Sequence, residues 1–289
     1  MVTGIRRKSL WALVPACALL FMLTVIPAVG VVVASFFNWR ITGDITSAGL
    51  YNFYRLVQDP YFANSARVTL KIALFATAFE VVLGLAVAGS LEYWPKVRNS
   101  FRLILMLPMV ISPMLAGLIW RLALDEQVGM LSRLWGSLLP GEFYPLSSAN
   151  GAVTAVILVD VWQWTPFIAI LISVAWEQAS VRLLDQVEVD GLSGLAAFRF
   201  IWGPVLLPVI GVAMLFRLID CLRIFDVVQV LTAGGPGNAT ETLSVFIYKR
   251  VIKFGDFGYA ASAAVALLVL ASIVWVVGER MFSLNYRGR

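Results

Sequence analysis

The residues able to do chemistry in this chain are polar and charged side chains set inside long apolar runs. Arg217, Asp220, Arg223 and Asp226 recur every third residue with alternating sign, and Gln229 follows one turn later. Asp160 is succeeded by Trp162, Gln163 and Trp164, and Glu80 stands alone in an apolar stretch. Charges in such a setting are costly and face a bundle interior or a wetted cavity. Two uses follow. Neighbours at i and i+3 on a helix can pair, so the series from Arg217 to Asp226 can neutralise itself and hold helices together, with Glu80 bonding across the bundle to an arginine. Alternatively, the carboxylates, amides and rings line a polar path. Much other chemistry is excluded. The chain has no histidine, which removes His-based triads and histidine metal sites. No G-x-x-x-x-G-K-[ST] phosphate loop is present, so any ATP and Mg must be held by another chain. Cys17 and Cys221 lie in apolar runs and read as small apolar residues, with no disulfide or metal framework.

The elements that must position these residues are membrane spans. Hydrophobic residues make up 60% of the sequence and charged ones 13%, with a mean hydropathy of +0.87. About 20 mostly apolar residues cross a bilayer core, and six segments qualify, at about residues 10–36, 72–91, 103–120, 152–176, 202–231 and 259–278. Pro108 and Pro113 kink the third, which a bundle tolerates when neighbours satisfy the freed carbonyls. The loops leave no room for a soluble domain, so residues 1–289 read as one all-α membrane domain. The first apolar run is longer than a signal-peptide core and reads as a retained span. Placing both termini on the cytoplasmic side puts the larger share of Lys and Arg inside, including Arg6, Arg7, Lys8, Lys96, Arg98 and Arg102. The net charge of +5 is therefore a topology signal rather than a nucleic-acid footprint.

The longest polar connection, residues 177–200, carries its own signal. Leu183, Leu184, Val187 and Val189 alternate with Asp185, Glu188 and Asp190. The spacing predicts a short amphipathic helix over residues 183–195, and Gly191 suits the C′ position that ends such a helix. Its apolar face needs a lipid surface or a groove on a partner. An acidic polar face disfavours an anionic leaflet. A second amphipathic stretch, residues 49–62, stops at Asp59-Pro60.

These segments resemble the permease subunits of carbohydrate ABC importers of the maltose-importer type. Aligned on Asp190-Gly191, Asp185, Gln186 and Val187 stand where that family's loop reads E-A-A. Phe198, Ile201 and Pro204 fall on its later offsets, while Leu192 and Gly203 depart from it. The resemblance continues in G-L-Y-N-F-Y-R-L from residue 49, L-P-M-V-I-S-P-M from 107, L-T-A-G-G-P-G from 231 and F-G-Y-A-A-S-A from 257. It implies a six-span type I ABC importer permease in a bacterial or archaeal plasma membrane, with no enzymatic activity of its own. The implied partners are a second permease subunit, two cytoplasmic ATPase subunits and an extracytoplasmic sugar-binding protein. Leu183, Leu184, Asp185, Val187, Asp190, Gly191 and Phe198 would then couple to the ATPase. Glu80, Asp160, Trp162, Gln163, Trp164, Asp220, Asp226 and Gln229 are the candidates for the path of a sugar or polyol, whose hydroxyls suit carboxylates and amides and whose C–H faces suit aromatic rings. The alternative is a secondary transporter using Asp160, Asp226 and Glu80 for ion coupling.

Overall fold

The computed structural model describes residues 3–94, 96, 98–138, 144–189, 191 and 194–287; within helices, side chains at 3–13, 93, 135–138, 181, 182, 184–189, 195 and 282–287 lie outside the description. The chain opens with α1 (Thr3–Ala34), followed by a minimal antiparallel pair, β1 (Phe37–Asn38) and β2 (Thr46–Ser47). Then come α2 (Tyr51–Gln58), α3 (Pro60–Tyr93), α4 (Arg98–Leu105), α5 (Leu107–Val110), α6 (Pro113–Ala123) and α7 (Met130–Leu138). After a 3-10 turn come α8 (Ala149–Val189), α9 (Gly194–Ala197), a π-helical turn Phe198–Trp202, α10 (Gly203–Leu222), α11 (Asp226–Leu231), α12 (Leu243–Ile252) and α13 (Phe257–Arg287). Five segments within this set are long and apolar enough to cross a membrane, and a sixth is a bent pair: residues Arg98–Val110 and Pro113–Ala123 meet at 88°.

The bend has a local cause. A residue before proline is pushed out of the helical region, and Ser112, before Pro113, is extended at φ −61°, ψ 144°. Ile111 is extended too. Ser112 then caps α6 by accepting the Leu115 N–H at 3.3 Å, and the freed Ile111 carbonyl accepts from Gln163 Nε2 at 2.7 Å. Pro113 thus breaks the span rather than bending it.

The described residues form two compact units. One comprises Met1–Phe62 and Phe246–Val269. Its core is Leu56, Phe246, Tyr259 and Ala263. Asp59 ends α2, accepts the Tyr61 N–H at the start of α3 (2.8 Å), and takes further bonds from Arg250 (3.0 Å) and the Tyr259 hydroxyl (2.7 Å). Proline fits there because the first helical residue needs no N–H donor.

The other unit comprises Ala63–Val245 and Leu270–Arg289. α8 is its main packing surface. Ala88 of α3, Ile168, Ile172 and Ala179 of α8, and Ala197, Trp202 and Leu206 beyond it form one apolar core. The boundary between a fourth span and a separate loop helix is not found, because α8 runs unbroken for 41 residues. Two contacts support the extension: Glu177 accepts from Arg98 at 2.6 Å and from Arg102 at 3.0 Å, and the ring of Trp176 packs against both Phe198 and Trp202. The fifth span also departs from expectation, since α10 stops at Leu222 and α11 begins at Asp226. No proline or glycine marks this break. Partners elsewhere in the unit replace helical bonds: Thr242 Oγ1 donates to the Ile224 carbonyl at 3.0 Å.

Candidate functional site

The break between α10 and α11 opens a cleft of about 300 Å³ lined by Asp160 and Trp164 of α8, Pro113 of α6, Asp220 and Cys221 of α10, and residues 223–227. Interrupted helices within a membrane persist where the irregular backbone is covered by protein or lines a cavity, and this break does both.

Behind the cleft lies a buried ionic network centred on Arg217, which is fully buried. Its guanidinium donates to both carboxylate oxygens of Glu80 at 2.8 Å, to Asp160 Oδ2 at 2.9 Å and to Asp220 Oδ2 at 2.5 Å. The same guanidinium lies 4.5 Å from the centre of the Trp164 ring. Arg223, exposed, donates to the other oxygen of Asp220 at 3.1 Å. Cys221 Sγ accepts from Arg217 and donates to Asp160, each at 3.2 Å. Burying such ions is costly, and good geometry only offsets that cost. The network therefore fixes the relative register of α3, α8 and α10 more than it adds net stability.

Glu80, Asp160 and Cys221 present ligand atoms within 4.8 Å of one another. The Arg217 guanidinium bonds to all three, so a covalently held cation already fills the place a metal ion would take.

Of the path candidates, Asp160, Trp164, Asp220 and Asp226 meet in the cleft. The other four serve elsewhere. Glu80 is sealed behind Arg217 with no exposure. Trp162 packs its ring edge-on against Trp120, 5.8 Å between centres. Gln163 holds the Ile111 carbonyl at the α5–α6 break. Gln229 lies outside the cleft lining, and its buried Oε1 has no partner. Sequence reasoning missed Arg217 as the hub, although its i+3 spacing to Asp220 was the available signal, and it read Cys221 as merely apolar.

The loop candidates divide differently. Gly191 has φ +62°, a left-handed conformation that glycine adopts without strain, and it lies just beyond the end of α8. Leu183 and Phe198 are half-buried against the unit's own core, so much of their apolar surface is spent within the chain. Asp190 lies outside the described residues, and the side chains of Leu184, Asp185 and Val187 do as well, their backbone being the last turns of α8.

The glycine-rich turn after α11 is held by two threonines. The Thr232 and Thr240 hydroxyls lie 2.7 Å apart, and Thr240 donates to the Gly235 carbonyl at 2.8 Å.

No protein-family model matches the chain. It is 33% identical over 275 residues, 92% of this chain and 88% of the relative, to a probable ABC transporter permease, y4oQ, of Sinorhizobium fredii. Identity is 30% to the sulfoquinovosyl glycerol transport permease SmoG of Agrobacterium fabrum, covering 96% of this chain and 91% of that one. It is also 30% to the trehalose/maltose transport permease MalF of Thermococcus litoralis, over 77% and 75%. Among solved structures, a bacterial alginate ABC transporter crystallised with a pentasaccharide-bound periplasmic protein has a chain that superposes with a TM-score of 0.81 at 20% identity, covering 97% of this chain and 96% of that one. The methionine ABC transporter MetNI gives 0.58 at 17% identity, over 81% and 97%. Five or six apolar spans, a broken helix over a polar cleft and this degree of likeness lead to one assignment: the chain belongs to the ABC-transporter permeases, multi-pass membrane proteins whose curated members here include permeases of sugar-transport systems.

Proposed function

We propose that this chain forms half of the pathway of an ATP-driven importer for a sugar or polyol. The observation that carries the reading is the cleft at the α10–α11 break, where three aspartates and Trp164 converge. Carboxylates accept bonds from hydroxyl groups, and an indole face suits the apolar C–H face of a pyranose. The relatives named for sulfoquinovosyl glycerol and for trehalose/maltose support a carbohydrate cargo. The end of α8 and the loop through Gly191 engage a cytoplasmic ATPase, which places both termini on the cytoplasmic side. A second permease, two ATPase chains and an extracytoplasmic binding protein complete the assembly, and ATP and Mg belong to the ATPase. Ion-coupled secondary transport is not favoured, because two of its three coupling carboxylates, Glu80 and Asp160, are engaged by Arg217.

The first test is gentle detergent purification of the tagged chain from its host, with partners identified by mass. An ATPase and a second permease are expected, and recovery of the chain alone would overturn the reading. Within such a complex, Asp226→Ala should weaken sugar affinity while leaving assembly intact. Asp160→Ala should impair assembly itself, because it strips a partner from buried Arg217.

A further inference from the structure

The charges around the cleft do not balance. Glu80, Asp160, Asp220 and Asp226 are set against Arg217 and Arg223. Four carboxylates against two guanidiniums leave an excess of two negative charges. Their positions matter as much as their number. Glu80 and Asp160 are spent on Arg217, and Asp220 bridges Arg217 and Arg223. Asp226 lines the cleft half-buried and makes no hydrogen bond or ion pair with any described residue. An ionisable side chain in a membrane segment without an internal partner is placed for what enters the cavity.

We propose that this cleft is built for uncharged polyhydroxylated ligands and rejects anionic sugars, with Asp226 as the residue that sets the selectivity. The inference rests on the reading of the cleft as part of the sugar path. A hydroxyl donates to the free Asp226 carboxylate and loses nothing. A carboxylate or sulfonate on the ligand faces a like charge that no described cation pairs with, and a half-buried charge is screened less than an exposed one. Rejection by unopposed charge is as effective a specificity device as attraction of the right partner. Neither fold nor family dictates the choice, since a transporter of the same fold imports the acidic polysaccharide alginate and one relative is named for sulfoquinovosyl glycerol, a sulfonated sugar. The side chains lining the cleft must make it.

The test reads the charge of the cleft without needing the sugar. Ile224, which lines the cleft, is replaced in the full chain in its host membranes (Ile224→Cys with Cys17→Ser), and Phe225→Cys serves as the second site should the first not assemble. The rate of Cys17→Ser alone, which reports the native Cys221 of the cleft, is subtracted. Methanethiosulfonate reagents of similar size, one cationic, one anionic and one neutral, are compared for rate, each relative to its rate with a free thiol. The expected result is a preference for the cation of at least tenfold, falling at least threefold with Asp226→Asn. Equal normalised rates, or a preference untouched by Asp226→Asn, would overturn the proposal. Failure of the neutral reagent to react at both sites would also overturn it, since the cleft would then be closed to small solutes.

A parallel assay measures uptake of maltose and trehalose with maltobionate and glucuronate as competitors. Asp226→Asn should let the anions compete at least tenfold better. If the cation preference holds but uptake of every neutral sugar tried ignores both Trp164→Ala and Asp226→Asn, the cleft lies off the path and the proposed function fails. If Trp164→Ala weakens uptake while charge preference is absent, only the selectivity fails.

Discussion

Replacing Arg217 with methionine tests the account of the buried network most directly. Arg217 and Glu80 are fully buried and Asp160 is 4% exposed, so removing the guanidinium strands two carboxylates that water cannot reach. Breaking a buried pair in this way costs about 3–5 kcal/mol. An independent ceiling comes from protonation: neutralising two ordinary carboxyls at pH 7 costs about 8 kcal/mol, from pKa values near 4 at about 1.4 kcal/mol per unit. The cost of breaking the pair lies within that ceiling, so the expected loss is about 4 kcal/mol. At about 2–4 °C per kcal/mol for a chain approaching this size, the melting point should fall by on the order of 10 °C. The assay is retention of the folded, monodisperse peak on fluorescence-detected size exclusion after stepwise heating, with wild type and variant in the same detergent. The stronger readout is rescue. Arg217→Met combined with Glu80→Gln and Asp160→Asn removes both stranded charges and should recover most of the loss, although neither carboxylate substitution stabilises the wild type. A melting point for Arg217→Met within about 2 °C of wild type, or a triple variant no better than the single, would refute the reasoning that the carboxylates depend on this cation.

Other substitutions probe how the site is held. A Cβ added at Gly84 would lie 2.7 Å from Ile168 Cγ2 and 3.2 Å from the Ala169 backbone nitrogen; Gly84→Val should therefore cost about 1–3 kcal/mol, seen as a lower melting point that Ile168→Ala partly restores. Gly191→Val forces a branched side chain to φ +62° and should abolish uptake while the protein still reaches the membrane, whereas Gly191→Asn, which tolerates that region, should retain much of it. The backbone N–H groups of Val128 and Gln127 hold the Asp125 carboxyl below the usual carboxylate range. The turn it organises should be protected above the ordinary carboxyl pKa and lose that protection as pH falls through the depressed value, which amide exchange of Gln127 and Val128 across pH 2–6 measures; protection constant over that range would remove Asp125 as its cause.

Apolar length announced the spans, because burying a backbone in hydrocarbon leaves helix as the cheapest answer, and Pro113 announced the break beside it. The α10–α11 break carried no such mark. Residues 220–227 contain neither proline nor glycine, and the bond that takes up a carbonyl freed at the break comes from Thr242, distant in sequence. For the same reason the pairing of Glu80 with Arg217 was visible only as a type of contact, a lone acid seeking a base. The loop from residue 177 misled in the opposite direction. Its polar composition suggested a chain leaving the membrane as a new element, yet helix propensity and the Glu177 ion pairs carried α8 straight on, and only the stop at Gly191 was written locally.

The unbroken length of α8 has a mechanical consequence. Forty-one residues at about 1.5 Å each make a shaft of about 60 Å, roughly twice the thickness of a bilayer's hydrocarbon core. The part apolar enough to span, Ala149–Ser180, holds Asp160 and Trp164, so the last nine residues, about 14 Å, extend beyond it as an arm that ends just before Gly191. Pivoting such a shaft by about 10° near its middle sweeps each end by about 5 Å, one full helical turn. Between that tip and the cleft wall stands Pro166, which removes one backbone hydrogen bond and marks the point at which such a shaft would bend under load.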